Sequence, residues 1–155
     1  MLRTHRFRPR YRGLAWGSIG TGGVVGGFAV ALGFATLPLV VGAVGLSLGL
    51  IYLGSPTWKL VVVTDDSSLE VKTPSASKFR LAWSDIVRVV ASPTTAFVDG
   101  GAPEKSLLVP GDGAPAPYSI EDAAALVATI LAHVPPDKVQ RVESLDRVTK
   151  TDSPA

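Results

Sequence analysis

The sequence predicts a two-helix transmembrane hairpin followed by a small α+β domain, in which an antiparallel β meander is capped by one C-terminal helix. Three observations predict this fold class. The stretch from Gly13 to Trp58 contains no Asp, Glu, Lys, Arg or His. Short runs rich in β-branched residues follow it, as in strands. One apolar stripe of helical period then runs from Ile120 to Val134.

The uncharged stretch is too long for one membrane-spanning helix. A span needs about 20 residues to cross a hydrocarbon core of about 30 Å, whereas this stretch would form a helix of about 69 Å. We therefore predict a transmembrane hairpin over residues 13–55, with helices at about 14–33 and 37–54. The turn lies between Gly33 and Pro38, because proline fits the first turn of a helix.

Glycine is concentrated in the predicted hairpin, which holds 12 of the 16 glycines. Small residues four positions apart let helices approach closely in a bilayer. Four such pairs are the predicted helix-packing residues: Gly13 and Gly17, Gly22 and Gly26, Gly23 and Gly27, and Gly45 and Gly49. Two interpretations stay open, packing of the hairpin against itself and a contact between copies of the chain.

The basic residues near the N-terminus predict the orientation. Basic residues that flank a span stay in the cytoplasm, so residues 1–12 are predicted to be a basic cytoplasmic tail. Two spans return the chain to the same side, which predicts a multi-pass protein of the cell inner membrane with its N-terminus and soluble domain in the cytoplasm. The predicted topogenic and interface residues are Arg3, Arg6, Arg8, Arg10, Arg12, Trp16, Tyr52 and Trp58.

Two further points concern this N-terminal region. The rest of the chain has 10 Lys and Arg against 13 Asp and Glu, which removes electrostatic support for a nucleic-acid partner. A basic start before an apolar stretch also describes a signal peptide, and Ala29-Val30-Ala31 resembles a cleavage site. The apolar region continues well past Ala31, which favours the hairpin.

The soluble domain is predicted over residues 57–135. Six segments of β-branched or alternating character, separated by turn residues, are predicted strands: 59–64, 69–73, 79–83, 86–91, 96–99 and 106–109. A helix is predicted over 119–134, since Ser119 and Asp122 resemble a capping box. Residues 136–155 are predicted to be a polar, partly disordered tail, although Val139 and Val142 begin a three-residue recurrence that permits a short helix.

One segment of the predicted meander resembles a known family. Residues 79–89 contain an aromatic and aliphatic pair, Phe79 and Leu81, followed by Trp83 and Ile86 in a Trp-x-x-Ile arrangement. This segment resembles small bacterial membrane proteins that carry a pleckstrin-homology-like (PH-like) domain behind a transmembrane hairpin. The resemblance covers about residues 57–134. It implies seven strands and a closing helix, one strand more than the pattern predicts.

The sequence shows no cluster of reactive side chains. The absence of cysteine excludes disulfides, thiolate catalysis and Cys-ligated metals. His5 lies in the predicted tail without a visible partner, and His133 is predicted to cap a helix end. The acidic pairs Asp65-Asp66 and Glu121-Asp122 fit a turn and a helix start. We therefore predict no enzyme activity, no metal and no cofactor.

The function predicted from these features is that of a non-enzymatic integral membrane protein. It would present a cytoplasmic PH-like domain for protein–protein interaction or self-association. The alternative is a lipid-sensing or membrane-shaping module that uses the arginine-rich tail and the glycine-rich hairpin. The partners expected are membrane lipids, with either a protein partner or a second copy of the chain, and no nucleic acid.

Overall fold

The structure is a computed structural model that describes residues 2–33, 36–93, 95–111, 114 and 116–143. The chain divides into two units. The helical unit comprises residues 9–57, and the β-rich unit comprises the residues up to Arg8 together with those from Trp58 onward. The helical unit is therefore an insertion in the sequence of the β-rich unit.

The helical unit contains two long helices, α1 (Arg12–Ala31) and α2 (Thr36–Leu53). Both begin before the predicted starts, by two residues in α1 and one in α2. Both are long and apolar enough to cross a membrane, with mean hydropathies of 1.4 and 2.0. Only 17% and 11% of their apolar windows is buried. Most of their apolar surface is therefore exposed, unlike that of a core helix in a soluble domain.

The β-rich unit contains two sheets and a C-terminal helix, an α+β layout. Its strands within the described residues are β1 (Arg3–Pro9), β2 (Val61–Thr64), β3 (Ser68–Lys72), β4 (Ser77–Ala82), β5 (Arg88–Ala91), β6 (Ala96–Asp99), β7 (Ser106–Val109), β8 (Tyr118–Ile120) and β9 (Val139–Arg141). Sheet A has the order β4-β3-β2-β1-β8, and sheet B has the order β7-β6-β5-β9. The helix α3 comprises Ala123–His133. The six strands predicted from the sequence are β2 to β7.

The core of this unit is built from the alternating side chains of both sheets and from α3. Leu69, Ile86, Leu126 and Ile130 are fully buried. Phe79, Leu81 and Trp83, which alternate along the third predicted strand, are all buried. On α3, Leu126, Val127 and Ile130 are buried, whereas Ala124 is exposed.

The predicted N-terminal tail is instead a strand of sheet A. β1 pairs antiparallel with β2, with Arg6 opposite Val61 and His5 opposite Val62. His5 and Phe7 are buried while the intervening arginines are exposed, which is the period-two pattern of a half-buried strand. The prediction of a tail relied on the charge of the arginines and did not consider the alternation of residues along this segment.

The predicted helix over 119–134 begins four residues late. Tyr118–Ile120 forms β8 beside β1, and the backbone N–H of Glu121 donates to the Arg6 carbonyl at 2.9 Å. Asp122 then adopts the left-handed conformation (φ 52°, ψ 43°) without a side-chain cap. The expected capping box is therefore wrong, because sheet pairing takes up the residues that would have formed it.

The segment after α3 also differs from the prediction. A short 3-10 turn, Pro136–Lys138, leads into β9, which runs parallel to β5 with Val89 opposite Val139. The Lys138 ammonium donates to the carbonyls of Ser84 and Ile86 at 2.8 and 2.7 Å. Residues 136–143 thus belong to the folded unit, and the rest of the predicted tail lies outside the described residues.

Candidate functional site

The two long helices pack through glycine backbones. A Cβ placed on Gly22 would lie 2.7 Å from the Gly42 carbonyl oxygen, and one on Gly42 would lie 2.7 Å from the Gly26 nitrogen. Such contacts leave no room for a side chain. Near the other end, a Cβ on Gly49 would lie 2.8 Å from the Ala15 carbonyl oxygen. Close backbone approach is thus what these glycines provide.

The structure divides the predicted packing glycines into two groups. Gly22, Gly26, Gly45 and Gly49 lie at the contact between the helices. Gly13, Gly17, Gly23 and Gly27 lie where an added Cβ would meet nothing within 4 Å, and Gly20 shares this property. Gly13, Gly20 and Gly27 are seven residues apart, so they follow one face of α1. That face has no partner among the described residues.

Sequence reasoning missed the central residue of the contact, Gly42. Gly42 precedes Gly45 by three residues and Gly49 by seven, so it belongs to no glycine pair with a four-residue spacing. Both spacings also place residues on one helix face. Ser18 was missed as well, and its hydroxyl donates to the Gly45 carbonyl at 3.1 Å.

The predicted interface residues have diverse surroundings. Trp16 on α1 is 57% exposed. The Tyr52 hydroxyl near the end of α2 accepts a hydrogen bond from the Tyr11 N–H at 3.0 Å. Trp58 belongs to the β-rich unit and is half-buried. The arginines are also divided, since Arg3, Arg6 and Arg8 lie on β1 while Arg12 begins α1. The structure therefore does not gather them into one tail.

His5 occupies a buried position between β2 and β8. Its Nδ1 lies 2.9 Å from the Glu121 carbonyl oxygen and must donate, since a carbonyl can only accept. Its Nε2 and the Thr64 hydroxyl are buried without a hydrogen-bond partner among the residues that the structure describes. Nearby, the Arg8 guanidinium forms an ion pair of 2.6 Å with the Glu121 carboxylate. These contacts fasten the N-terminal strand to the segment before α3.

The most densely hydrogen-bonded carboxylate is Asp65, at the turn between β2 and β3. It accepts from the Ser67 N–H and hydroxyl, both at 2.7 Å, and from the Ser68 N–H at 2.6 Å. These bonds, those from Ser67 above all, lower the pKa of Asp65 well below its usual value. Arg80 completes the cluster, donating to the Asp65 carboxylate at 3.3 Å and to the Ser68 hydroxyl at 2.9 Å.

Trp83 lies beside this turn and holds it to the core. Its indole N–H donates to the Asp65 carbonyl at 3.1 Å, and its ring stacks on His133 with 4.8 Å between centroids. The His133 Nδ1 also donates to the Thr129 carbonyl at 2.9 Å. Trp83 is buried in the core cluster and therefore packs as a core residue. The polar groups around it are engaged in structure, so the arrangement favours a stable turn over acid–base chemistry.

An apolar groove of about 540 Å³ lies between α3 and β9. It is lined by Leu131, Ala132, Val134, Pro136, Val139 and Arg141. A single guanidinium beside aliphatic side chains offers a packing surface without reacting groups. In the part of the chain that the structure describes, no three His, Asp or Glu residues are grouped as metal ligands would be.

Comparison with known proteins gives no match to a protein family, to a curated protein or to a solved structure.

Proposed function

We propose that the chain is a non-enzymatic integral membrane protein, inserted as a helical hairpin, that self-associates and presents a PH-like domain in the cytoplasm. The observation that carries this proposal is the exposure of two long apolar helices on almost all sides. In water such a surface would be strongly unfavourable. In a bilayer the same surface contacts lipid tails, and both helices satisfy their backbone hydrogen bonds internally.

The pairing of β1 with β2 supports the hairpin orientation. β1 precedes the two helices and β2 follows them, and Arg6 lies opposite Val61 in one sheet. Two strands of one sheet lie on the same side of a membrane, which requires an even number of crossings between them. The same pairing argues against removal of a signal peptide, since cleavage near Ala31 would remove an interior strand of sheet A.

The strand order supports a PH-like domain. Counted from the N-terminus, β1 to β4 are neighbours in one sheet, β5 to β7 are neighbours in the other, and a helix follows. This gives the seven strands that the resemblance implies, with the hairpin inserted after the first. The short strands β8 and β9 are additions to that plan.

The open glycine face of α1 supports self-association. The glycines of α1 that contact α2 are accounted for by that contact, whereas Gly13, Gly20 and Gly27 face away from it. A second α1 could approach this face closely, as small residues allow in a bilayer.

Self-association is tested by crosslinking the full-length protein in native membranes. The variant Gly20→Leu/Gly27→Leu keeps the hairpin intact, because both sites have space for a side chain. We expect it to lose most of the dimer-sized crosslinked product. The control Thr21→Leu adds volume at an exposed site of the same helix, about 100° around the helix axis from Gly20, and keeps the product. Undiminished crosslinking in the glycine variant would contradict self-association through this face.

Orientation is tested with single cysteines in this cysteine-free chain. Leu2→Cys and Ser75→Cys in the β-rich unit and Leu37→Cys at the start of α2 are all exposed sites. A membrane-impermeant thiol reagent added to intact cells should label Leu37→Cys alone. Labelling of Ser75→Cys from outside would overturn the cytoplasmic orientation. Labelling of Leu2→Cys and Ser75→Cys from opposite sides would overturn the hairpin.

A further inference from the structure

Sheet B ends in a short strand whose outer edge has no partner among the described residues. β9 (Val139–Arg141) pairs with β5 and is the last strand of the sheet on that side. The N–H of Val142, just after β9, donates to the Ala91 carbonyl of β5 at 2.9 Å. Because successive residues of a strand direct their N–H and C=O groups to opposite edges, Arg141 and Glu143 direct theirs away from β5. A further strand could pair with these groups.

The opposite edge of sheet B is better covered. There the last strand is β7, and the Leu108 carbonyl accepts a hydrogen bond from the Tyr118 hydroxyl at 3.0 Å. An uncovered edge is a template for pairing with another chain. At β9, the side chains of Val139 and Arg141 line the apolar groove beside α3. A strand added along β9 would therefore border apolar surface as well as free backbone groups.

The charges around Val142 select the strand that could pair there. Arg141 and Glu143 are both exposed, and within the described part of the chain neither has an oppositely charged partner at ion-pair distance. If two copies pair antiparallel about a two-fold axis at Val142, Arg141 of each copy lies directly opposite Glu143 of the other. Opposite charges in this position stabilise strand pairing. An axis at Gln140 would instead place Asp137 opposite Glu143, where like charges are destabilising.

We propose that a second copy of the chain pairs its β9 segment antiparallel with this edge, so that the two copies of sheet B form one continuous sheet with its two-fold axis at Val142. The inference rests on the proposed self-association, for which it names a second contact. Each Arg141 exchanges backbone hydrogen bonds with the Glu143 opposite it, and their side chains form an ion pair. The two Val142 residues are a non-hydrogen-bonded pair, with about 4.5 Å between their Cα atoms.

The register is tested by mild oxidation of single-cysteine variants of the full-length protein in isolated membranes. Val142→Cys should form a disulfide-linked dimer, because a Cα separation of about 4.5 Å suits a disulfide. Gln140→Cys is the matched control. Its side chain projects from the same face, but about 14 Å separates the two Cα atoms in this register. We expect at least about fivefold less product from it. Equal or greater crosslinking of Gln140→Cys would overturn the pairing at Val142.

The ion pairs are tested by charge reversal in the Val142→Cys chain. Arg141→Glu should lower the yield of disulfide-linked dimer about threefold, and so should Glu143→Arg. The double reversal Arg141→Glu/Glu143→Arg places opposite charges across the axis again, so it should return the yield to that of Val142→Cys. A double variant that stays as low as the single reversals would overturn the proposed pairing.

Two comparisons separate the possible failures. A dimer-sized product of the wild-type chain in chemical crosslinking, together with no disulfide in Val142→Cys, would overturn the β9 contact alone. Absence of a dimer in both experiments would overturn self-association itself. If Val142→Cys fails to fold, chains carrying Arg141→Cys and Glu143→Cys, both at exposed sites, leave Val142 unchanged. Expressed together, they should form a disulfide more readily than either chain alone, and equal yields would also overturn the proposal.

Discussion

The helical unit and the β-rich unit of this chain are each stabilised internally, by two different kinds of contact. In the helical unit the closest contacts are between backbones, at Gly22, Gly42 and Gly49. In the β-rich unit the contacts are between large side chains, with Leu69 and Ile86 fully buried. In water, the burial of large apolar side chains is favourable. In a bilayer, such side chains gain little by leaving the equally apolar lipid, and helices associate through close approach at small residues.

This difference reverses the effect of side-chain size. In the β-rich unit a smaller side chain leaves a cavity, and stability falls as the volume of that cavity grows. At the helix contact a larger side chain forces two backbones apart. The two units should therefore respond oppositely to truncation and enlargement, which the following substitutions examine.

The largest effect is expected from truncation in the β-rich core. Leu69 is fully buried between the paired residues Thr64 and Leu81, so Leu69→Ala should lower the free energy of unfolding by about 2–5 kcal/mol. Leu108→Ala is the matched control, because Leu108 is 36% exposed and should cost well under half as much. Denaturant unfolding of the detergent-solubilised chain, followed by near-ultraviolet circular dichroism, measures both. Similar losses would mean that the core does not depend on Leu69.

A smaller effect is expected from enlargement at the helix contact. A Cβ on Gly42 would lie 2.7 Å from the Gly26 nitrogen and 2.8 Å from the Gly22 carbonyl oxygen. Gly42→Leu should therefore destabilise the helix pair by about 1–3 kcal/mol, as overpacking does elsewhere. Gly23→Leu enlarges a glycine with open space around it and should change little. Titration with a denaturing detergent, monitored by helical circular dichroism, compares them. If the two variants unfold alike, the glycine contact does not stabilise the pair.

The smallest effect is expected from the pH dependence of one turn. The folded state lowers the pKa of Asp65 from 3.8 through bonds from Ser67 and Ser68. Its contribution to stability is therefore complete above pH 3.8 and is lost as the pH falls below that value toward the lowered pKa. Acidification from pH 5 to pH 3 should destabilise the wild-type chain more than Asp65→Asn. Asp85→Asn, whose carboxylate accepts a bond from Ser84, should retain the wild-type pH response; equal responses in all three proteins would exclude this role for Asp65.

The sequence predicts individual helices and strands better than it predicts which distant segments pair with one another. The six strands β2 to β7 and both long helices follow from periodicity and from the absence of charge. The missed elements depend on distant residues. β1 is recognisable as a strand only when the sheet in which His5 and Phe7 are buried is known. β8 replaces a helical turn because the Arg6 carbonyl accepts a hydrogen bond from the Glu121 N–H, more than a hundred positions away.

The candidate sites show the same limit. Glycine spacing predicts that helices pack closely, but it does not show which glycines meet α2 and which face away. That division depends on the crossing of the helices at Gly42. Likewise, Arg6 and Lys72 share a face of sheet A only because both are paired with Val61. In the sequence they are separated by both helices.

The pairing of β1 with β2 also sets an order of events during synthesis. The first strand leaves the ribosome before the helices, and its partner follows them roughly fifty residues later. At about 5–20 residues per second, this delay lasts about 3–10 s. Sheet A is completed only when both helices have been made and, if the chain inserts as proposed, when it has returned to the side where it began. In the proposed membrane-inserted chain, folding of the β-rich unit then depends on correct insertion, since a chain with only one helix inserted would have β1 and β2 on opposite sides of the membrane.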